Sequence, residues 1–319
     1  MSEQLDQMEA VSEDIEKKPD RAMGFQIIVR EFLRDKVALG ALIIFMLVVL
    51  IIVLWNLRVD AAEIMQVNIL NRFKKPEPFS WSLLAEAWSG ESTYLLGADQ
   101  GGRDVLHQLI IGTGNSLLIG VMVTTIMAVI GIILGVIAGY YGGLVDNIIM
   151  RITDFVMILP RLMIIIVFVV VVRDVTIGAF VFIMSIFAWT GFVRTTRSRA
   201  LSEGELDYIS ASKTMGTPTW RIMVKELLPN LASLIMIQLI LSYAANIGVE
   251  TGLTYLGFGL PPHVPTLGRL VSAATSPENI ELRPWVWLPA TLTILVLMLC
   301  INYMGQVLKR SVDAKQRRG

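Results

Sequence analysis

Six apolar runs, each long enough to cross a bilayer, constrain this chain more than any other feature of its sequence. They fall at Val37–Leu57, Ser116–Tyr140, Asn147–Val172, Val175–Val193, Leu231–Phe258 and Trp285–Leu308. A helix needs about 20 apolar residues to traverse roughly 30 Å of hydrocarbon, whereas a membrane barrel shows alternating segments of about ten. The runs therefore predict an all-α, polytopic membrane protein with six transmembrane helices. Composition agrees, because 54% of residues are hydrophobic and 17% charged, against about 25% charged in a soluble domain.

An even number of spans puts both termini on one side. Residues 1–36 carry mixed charge and no short apolar stretch with a small-residue cleavage site, so no cleaved signal is expected and the first span, 37–57, is the anchor. Lysine and arginine bias then sets the orientation. With cytoplasmic termini, the inner segments 1–36, 194–230 and 309–319 hold 17 basic residues, and the outer segments 58–115, 173–174 and 259–284 hold 8. The expected organisation is a cytoplasmic tail with an amphipathic helix over 21–36, the anchor, an extracytoplasmic loop 58–115, a five-helix core 116–308 and a cytoplasmic tail 309–319. The expected location is the plasma or inner membrane.

Little in the spans suggests chemistry. Cys300 is the only cysteine and the two histidines, His107 and His263, lie far apart, so no metal site, disulfide or catalytic residue is expected. Gly120, Gly131, Gly135 and Gly139 share one helical face, which suits either close helix packing or a substrate-lining strip. Arg151 and Asp154 stand three residues apart and are placed to pair with each other. Arg161 follows Pro160 near the middle of the third span, where proline interrupts the helix ladder and an arginine needs water or a partner; a pore-facing position is expected. Asn246 and Glu250 are four apart on the fifth span and face either the same pathway or a neighbouring helix. The stretch after that span, with Pro261, Pro262 and Pro265, is expected to form a compact outer turn.

Between the fourth and fifth spans the chain turns polar, with DYISASKTMGTPTWRIMVKELLPN at 207–230. Residues 205–215 favour helix, and Gly216 is placed to end it in a left-handed cap. Thr217 and Pro218 read as the N-cap and first residue of a second helix, roughly Pro218–Leu228, which carries Trp220, Ile222, Met223 and Leu227 and which Pro229 is expected to break. Two short helices meeting at a glycine corner, continuous with two spans, suit the transmission of motion from a soluble partner.

This stretch resembles the EAA loop of ATP-binding-cassette importer permeases, patterned Glu-Ala-Ala, three residues, Gly, nine residues, Ile-x-Leu-Pro. The matching positions are Ser210, Ala211, Ser212, Gly216, Glu226, Leu228 and Pro229, so the spacing is kept while the glutamate, the second alanine and the isoleucine are not. Asp207, Tyr208, Ala211, Gly216 and Leu228-Pro229-Asn230 together resemble the dipeptide/oligopeptide/nickel subfamily. LGADQGGRDVLHQLIIGTGNSLLIG at 96–120 is similar to that subfamily's Gly-Thr-Asp-x-x-Gly-Arg-Asp segment, and LTYLGFGLPPHVPTLGRLV at 253–271 to its Leu-Ser-Phe-Leu-Gly-Leu-Gly segment with the prolines that follow.

The resemblance implies the type I importer permease fold and a second-permease-subunit role. It implies a homologous permease as heterodimer partner, two cytoplasmic ATPases, an extracytoplasmic peptide-binding protein and a peptide substrate. Apart from these and lipid, no partner is expected, nucleic acid included. Asp207, Tyr208, Ala211, Gly216, Leu228 and Pro229 would couple to an ATPase, and Arg161, Asn246 and Glu250 would serve the translocation pathway. The chain has no Gly-x-x-x-x-Gly-Lys-Ser/Thr loop, so it is expected to bind no cofactor, with ATP and magnesium used by the partners. Dipeptides, glutathione or nickel remain alternative cargoes. An ion-driven secondary transporter would be expected to show internal repeats, and none is evident.

Overall fold

The computed structural model describes residues 32–59, 65–172 and 174–316, with backbone alone at 313–316. The acidic tail, most of the expected amphipathic helix at 21–36 and the end of the C-terminal tail lie outside the described residues.

Helix α1, Lys36–Asn56, starts where the Asp35 carboxylate accepts the N–H groups of Val37 and Ala38 at 2.9 and 3.0 Å, which satisfies donors that a helix start leaves open. Its outer face, with Ile43, Met46, Leu47 and Leu50, is exposed. Beyond it, α2, Trp81–Trp88, lies in the segment that precedes α3, Val105–Tyr141. At 37 residues and 1.5 Å per residue, α3 is about 55 Å long, well over one bilayer core. It begins at Val105 rather than Ser116 because Asp104 caps it, its Oδ1 accepting the Leu106 N–H at 2.8 Å. The outer loop is shorter by that much.

The next two spans are bent. α4, Gly143–Ile158, and α5, Arg161–Val171, meet at 76° across Leu159 and Pro160. The proline has no N–H for the ladder, and the residue before it is pushed out of the helical region. α6, Ile177–Ala188, and α7, Thr190–Gly204, meet at 45° around Trp189, so the helical path continues past Val193 to Gly204.

The chain then forms α8, Asp207–Thr214, and α9, Thr219–Ile222, followed by α10, Leu228–Tyr255. Short helices α11, Leu267–Ser272, and α12, Pro277–Leu282, fill the turn before α13, Pro284–Gln316. Among the described residues four helical stretches are long and apolar enough to cross a membrane, and the number is six when each bent pair is counted as one span.

α3 is the central element. One apolar cluster joins Ile119, Val123 and Met127 of α3 to Phe180 and Met184 of α6, Phe192 of α7 and Leu231 of α10; a second joins Leu117 to α1, α10, α11 and α13. The glycine face of α3 resolves as packing. A Cβ on Gly131 would lie 2.7 Å from Phe192 Cβ, on Gly135 2.6 Å from Thr196 Cβ, and on Gly139 2.6 Å from Ala200 Cβ. α3 and α7 thus touch backbone to backbone.

Asp154 does not pair with Arg151. It pairs with Arg194, while Asp146 takes Arg197, so two ion pairs tie α4 to α7. The bend at Leu159 and Pro160 leaves α4 beside the start of α7, where the arginines of a neighbouring helix offer better geometry than one three residues away.

Candidate functional site

The α8–α9 corner lies at the end of the bundle where α7 finishes and α10 begins. The Thr217 N–H reaches back to the Ser212 carbonyl at 3.1 Å and the Gly216 N–H to Lys213 at 3.0 Å, the paired bonds of a Schellman cap. Gly216 takes φ +77°, and a Cβ added to it would meet nothing within 4 Å. The glycine is needed for the turn of the backbone, while the space around it is open.

Inward-facing residues hold the corner to the bundle. Ile209, Ile222 and Leu227 are buried to 1% exposure or less. Lys213 Nζ sits 4.8 Å from the Tyr140 ring centroid at the end of α3. Asn230 Nδ2 donates to Tyr208 Oη at 2.6 Å and to the Glu226 carbonyl at 2.9 Å, and Tyr208 Oη donates to Glu203 at 3.4 Å. This chain of bonds links α7, α8 and the start of α10. Sequence reasoning named Tyr208 and missed Glu203, Lys213 and Tyr140, since a lone polar or aromatic residue near a helix end carries no signal of its partner.

Beyond Ile222 the expected break does not occur. Thr219–Tyr255 is one continuous helical path, and Met223–Leu227 form a π-helical turn in which the Leu228 N–H reaches the Met223 carbonyl. The wider turn admits Pro229 at the start of α10 instead of ending the helix, and the Asn230 side chain satisfies the carbonyl of Glu226. α9 likewise begins at Thr219, with Pro218 at the N-cap position and no side-chain cap. Motion of the corner would therefore be passed to α10 through a helix rather than a break.

The corner exposes several large apolar side chains among polar ones. Met215 is 77% exposed, Trp220 57%, Val224 54% and Leu206 45%. Asp207, Ala211, Gly216 and Pro229 are exposed beside them, while Tyr208 and Leu228 are half-buried. Exposed large apolar side chains rimmed by polar residues are typical of protein or membrane contact sites.

The three pathway candidates separate into two arrangements. Arg161, half-buried at the start of α5, donates to Asn246 Oδ1 at 3.4 Å, and Asn246 Nδ2 donates to Thr124 Oγ1 at 3.0 Å. The Arg161 Nε is buried without a partner among the described residues. Glu250 is elsewhere on α10 and wholly buried: it accepts Ser116 Oγ and Thr254 Oγ1, each at 3.0 Å, and Ser116 Oγ accepts the Leu267 N–H at 3.1 Å. The carboxylate fastens α3, α10 and the short helix α11 together, which is the neighbouring-helix alternative of the two open in the sequence.

At the opposite end, residues 65–104 fold against the turn that follows α10. The Asp104 Oδ2 accepts the Tyr94 N–H at 2.7 Å, Asp99 Oδ1 accepts the Gly101 and Arg103 N–H groups, and Arg103 Nη1 reaches the Pro262 carbonyl at 3.3 Å. The two outer motifs of the sequence thus meet in space. Among the described residues, no group of three His, Cys, Asp or Glu is arranged to hold a metal ion.

Comparison with known proteins agrees with this architecture. The family model described as binding-protein-dependent transport system inner membrane component matches residues 131–314. The oligopeptide transport system permease protein OppC of Lactococcus lactis subsp. cremoris is 42% identical over 302 residues, covering 94% of this chain and 98% of that protein. The di/tripeptide transport system permease protein DppC of Pseudomonas aeruginosa is 33% identical over 90% of each chain, and the dipeptide permease DppC of Haemophilus influenzae 31% over 73% of this chain and 79% of that one. With a model matched over more than half its length and near full-length relatives, this multi-pass membrane protein of type I importer permease fold belongs to the family of binding-protein-dependent transport system inner membrane components.

Proposed function

We propose that this chain is the second permease subunit of an ATP-driven, binding-protein-dependent oligopeptide importer. It forms half of the translocation pathway beside a homologous permease and is not itself an enzyme. The oligopeptide cargo is favoured because the 42% identical relatives carry that name over almost their whole length, against 31–33% for the dipeptide permeases cited above. The observation that carries the mechanism is the corner at Gly216, whose exposed apolar face is joined by continuous helix to α10.

In this reading Met215, Trp220 and Val224 seat in a groove of a cytoplasmic ATPase. Both termini are then cytoplasmic, and the segments 65–104 and 256–283 face the peptide-binding protein. ATP and magnesium belong to the ATPases. Closure of the ATPases on nucleotide moves the corner, and α10 carries the movement to the spans, biasing them between inward-open and outward-open arrangements. The exposed apolar side chains of α4 and α5, such as Phe155, Leu162, Met163 and Val170, suit contact with the partner permease or lipid. Arg161 is the polar group offered to the pathway, with the buried Asn246 behind it as its hydrogen-bond acceptor. Glu250, with 0% exposure even without a partner chain, supports the subunit's own packing.

Gly216→Leu tests the coupling. A residue with a Cβ at φ +77° costs about 1–2 kcal/mol, too little to unfold a membrane bundle but enough to shift the corner. Membrane insertion and complex assembly should remain, and peptide uptake should be lost. Uptake at the unaltered rate would refute the coupling role.

A further inference from the structure

The outer end of the subunit holds a half-enclosed cavity of about 740 Å³, within the size range of small-molecule sites. Three segments supply an arginine to its wall: Arg72 from the segment after α1, Arg103 from the turn before α3, and Arg269 from α11. Among the described residues Asp99 is the only carboxylate in the lining, and its Oδ1 is taken up by the N–H groups of Gly101 and Arg103 at 2.7 and 3.0 Å.

The cavity's charge is therefore unbalanced. Arg103 stands 3.9 Å from Asp99 Oδ2, with its Nε buried and without a partner among the described residues. Among those residues neither Arg72 nor Arg269 has a carboxylate partner; Arg72 rests 5.2 Å from the Phe73 ring centroid. Guanidinium groups match the flat, two-oxygen edge of a carboxylate. The rest of the wall includes Phe73, Tyr255 and Leu270, surfaces that accept a side chain without selecting one.

We propose that this cavity binds the C-terminal carboxylate of a peptide on its way into the importer; the inference rests on the oligopeptide-importer reading above. An importer of many sequences has to grip what peptides share, which is their backbone ends. A wall with three arginines and one already occupied aspartate fits the carboxylate end and repels the ammonium end. Its place between the two outer motifs, remote from the Gly216 corner, is where a peptide released by an outer binding protein would first meet this subunit.

The test uses the assembled importer in nanodiscs, with the partner permease and ATPases but without the binding protein, titrated calorimetrically with trialanine, trialaninamide, acetate and inorganic phosphate. Trialanine is expected to bind at least tenfold more tightly than its amide and than acetate or phosphate, and to weaken as salt is raised. Arg72→Gln and Arg269→Gln should each lower trialanine affinity tenfold or more and leave the amide unchanged. Equal binding of acid and amide, or trialanine affinity unaltered by both substitutions, would overturn the proposal. So would phosphate or acetate binding as tightly as trialanine, which would make the cavity a simple anion site. Substitutions that remove only stimulation by the binding protein would overturn it too, and assign the arginines to an acidic side chain of that protein. The acid–amide comparison uses the unaltered chain, so misfolding of a variant cannot produce it. Uptake by the same preparation with its binding protein reports separately on the importer reading: normal uptake without acid preference removes this site alone.

Discussion

Replacing Gly135 with alanine should loosen the α3–α7 contact beside the Gly216 corner. The added Cβ would lie 2.6 Å from Thr196 Cβ, 2.9 Å from the Val193 carbonyl oxygen and 3.0 Å from the Arg197 nitrogen. Carbon contacts settle near 3.5–4.0 Å, so the shortfall against Thr196 is about 1 Å. Two of these three neighbours are backbone atoms that cannot rotate away, and α7 has to move as a unit. Overpacking of this kind costs about 1–3 kcal/mol, and the helix preference of alanine over glycine returns about 1 kcal/mol. The expected net loss is about 1 kcal/mol. Gly191→Ala, in α7 with nothing within 4 Å of its added Cβ, should be neutral or stabilising. Because a single outward shift of α7 relieves all three sites, changing Gly131, Gly135 and Gly139 together should cost less than the sum of the single changes. Thermal unfolding in detergent, followed by loss of monodisperse elution, ranks these proteins. A Gly135→Ala melting point at or above that of Gly191→Ala would refute the packing argument.

Two further outcomes follow from the polar contacts. Glu250→Ala removes the acceptor for Ser116 and Thr254 in a fully buried site and should cost about 2–4 kcal/mol of stability, whereas Glu250→Gln should keep most peptide uptake; loss of uptake in a stably folded Glu250→Gln importer would instead place the carboxylate in the pathway. Asp104→Ala removes both the α3 cap and the acceptor for the Tyr94 N–H, at about 2–4 kcal/mol in sum, and limited proteolysis should then cut within 65–104 before any other described segment.

The number of spans and their order were legible because apolar length is a property of each run alone. Bends were only partly so. Pro160 announces the break between α4 and α5, but the 45° bend at Trp189 has no proline, and its cause lies in the surrounding packing. Pro229 misled for a related reason: proline ends an ordinary α-helix, and only the π turn at Met223–Leu227 makes room for it. The early start of α3 was readable in principle, since Asp104 precedes an apolar residue pair as a cap should, but the glycines at 112 and 114 broke the apolar run that follows. The corner at Gly216 came directly from residue chemistry, because a left-handed cap favours glycine. Partners across long separations were not readable. Nothing near Glu250 in sequence points to Ser116, nor near Asp154 to Arg194, and nothing in three scattered arginines announces a common cavity.

In the proposed coupling the Gly216 corner seats in an ATPase and carries its motion to α10. Cys300 is the only native cysteine and is buried, so a Cys300→Ser chain with Met215→Cys offers one thiol at a side chain 77% exposed in the subunit alone. Assembly with the ATPases should protect this thiol from maleimide, and a short bifunctional reagent should join it to an ATPase subunit, with a yield that changes on nucleotide binding. Labelling at the same rate with and without the ATPases, and no cross-link in the active complex, would contradict the proposed coupling.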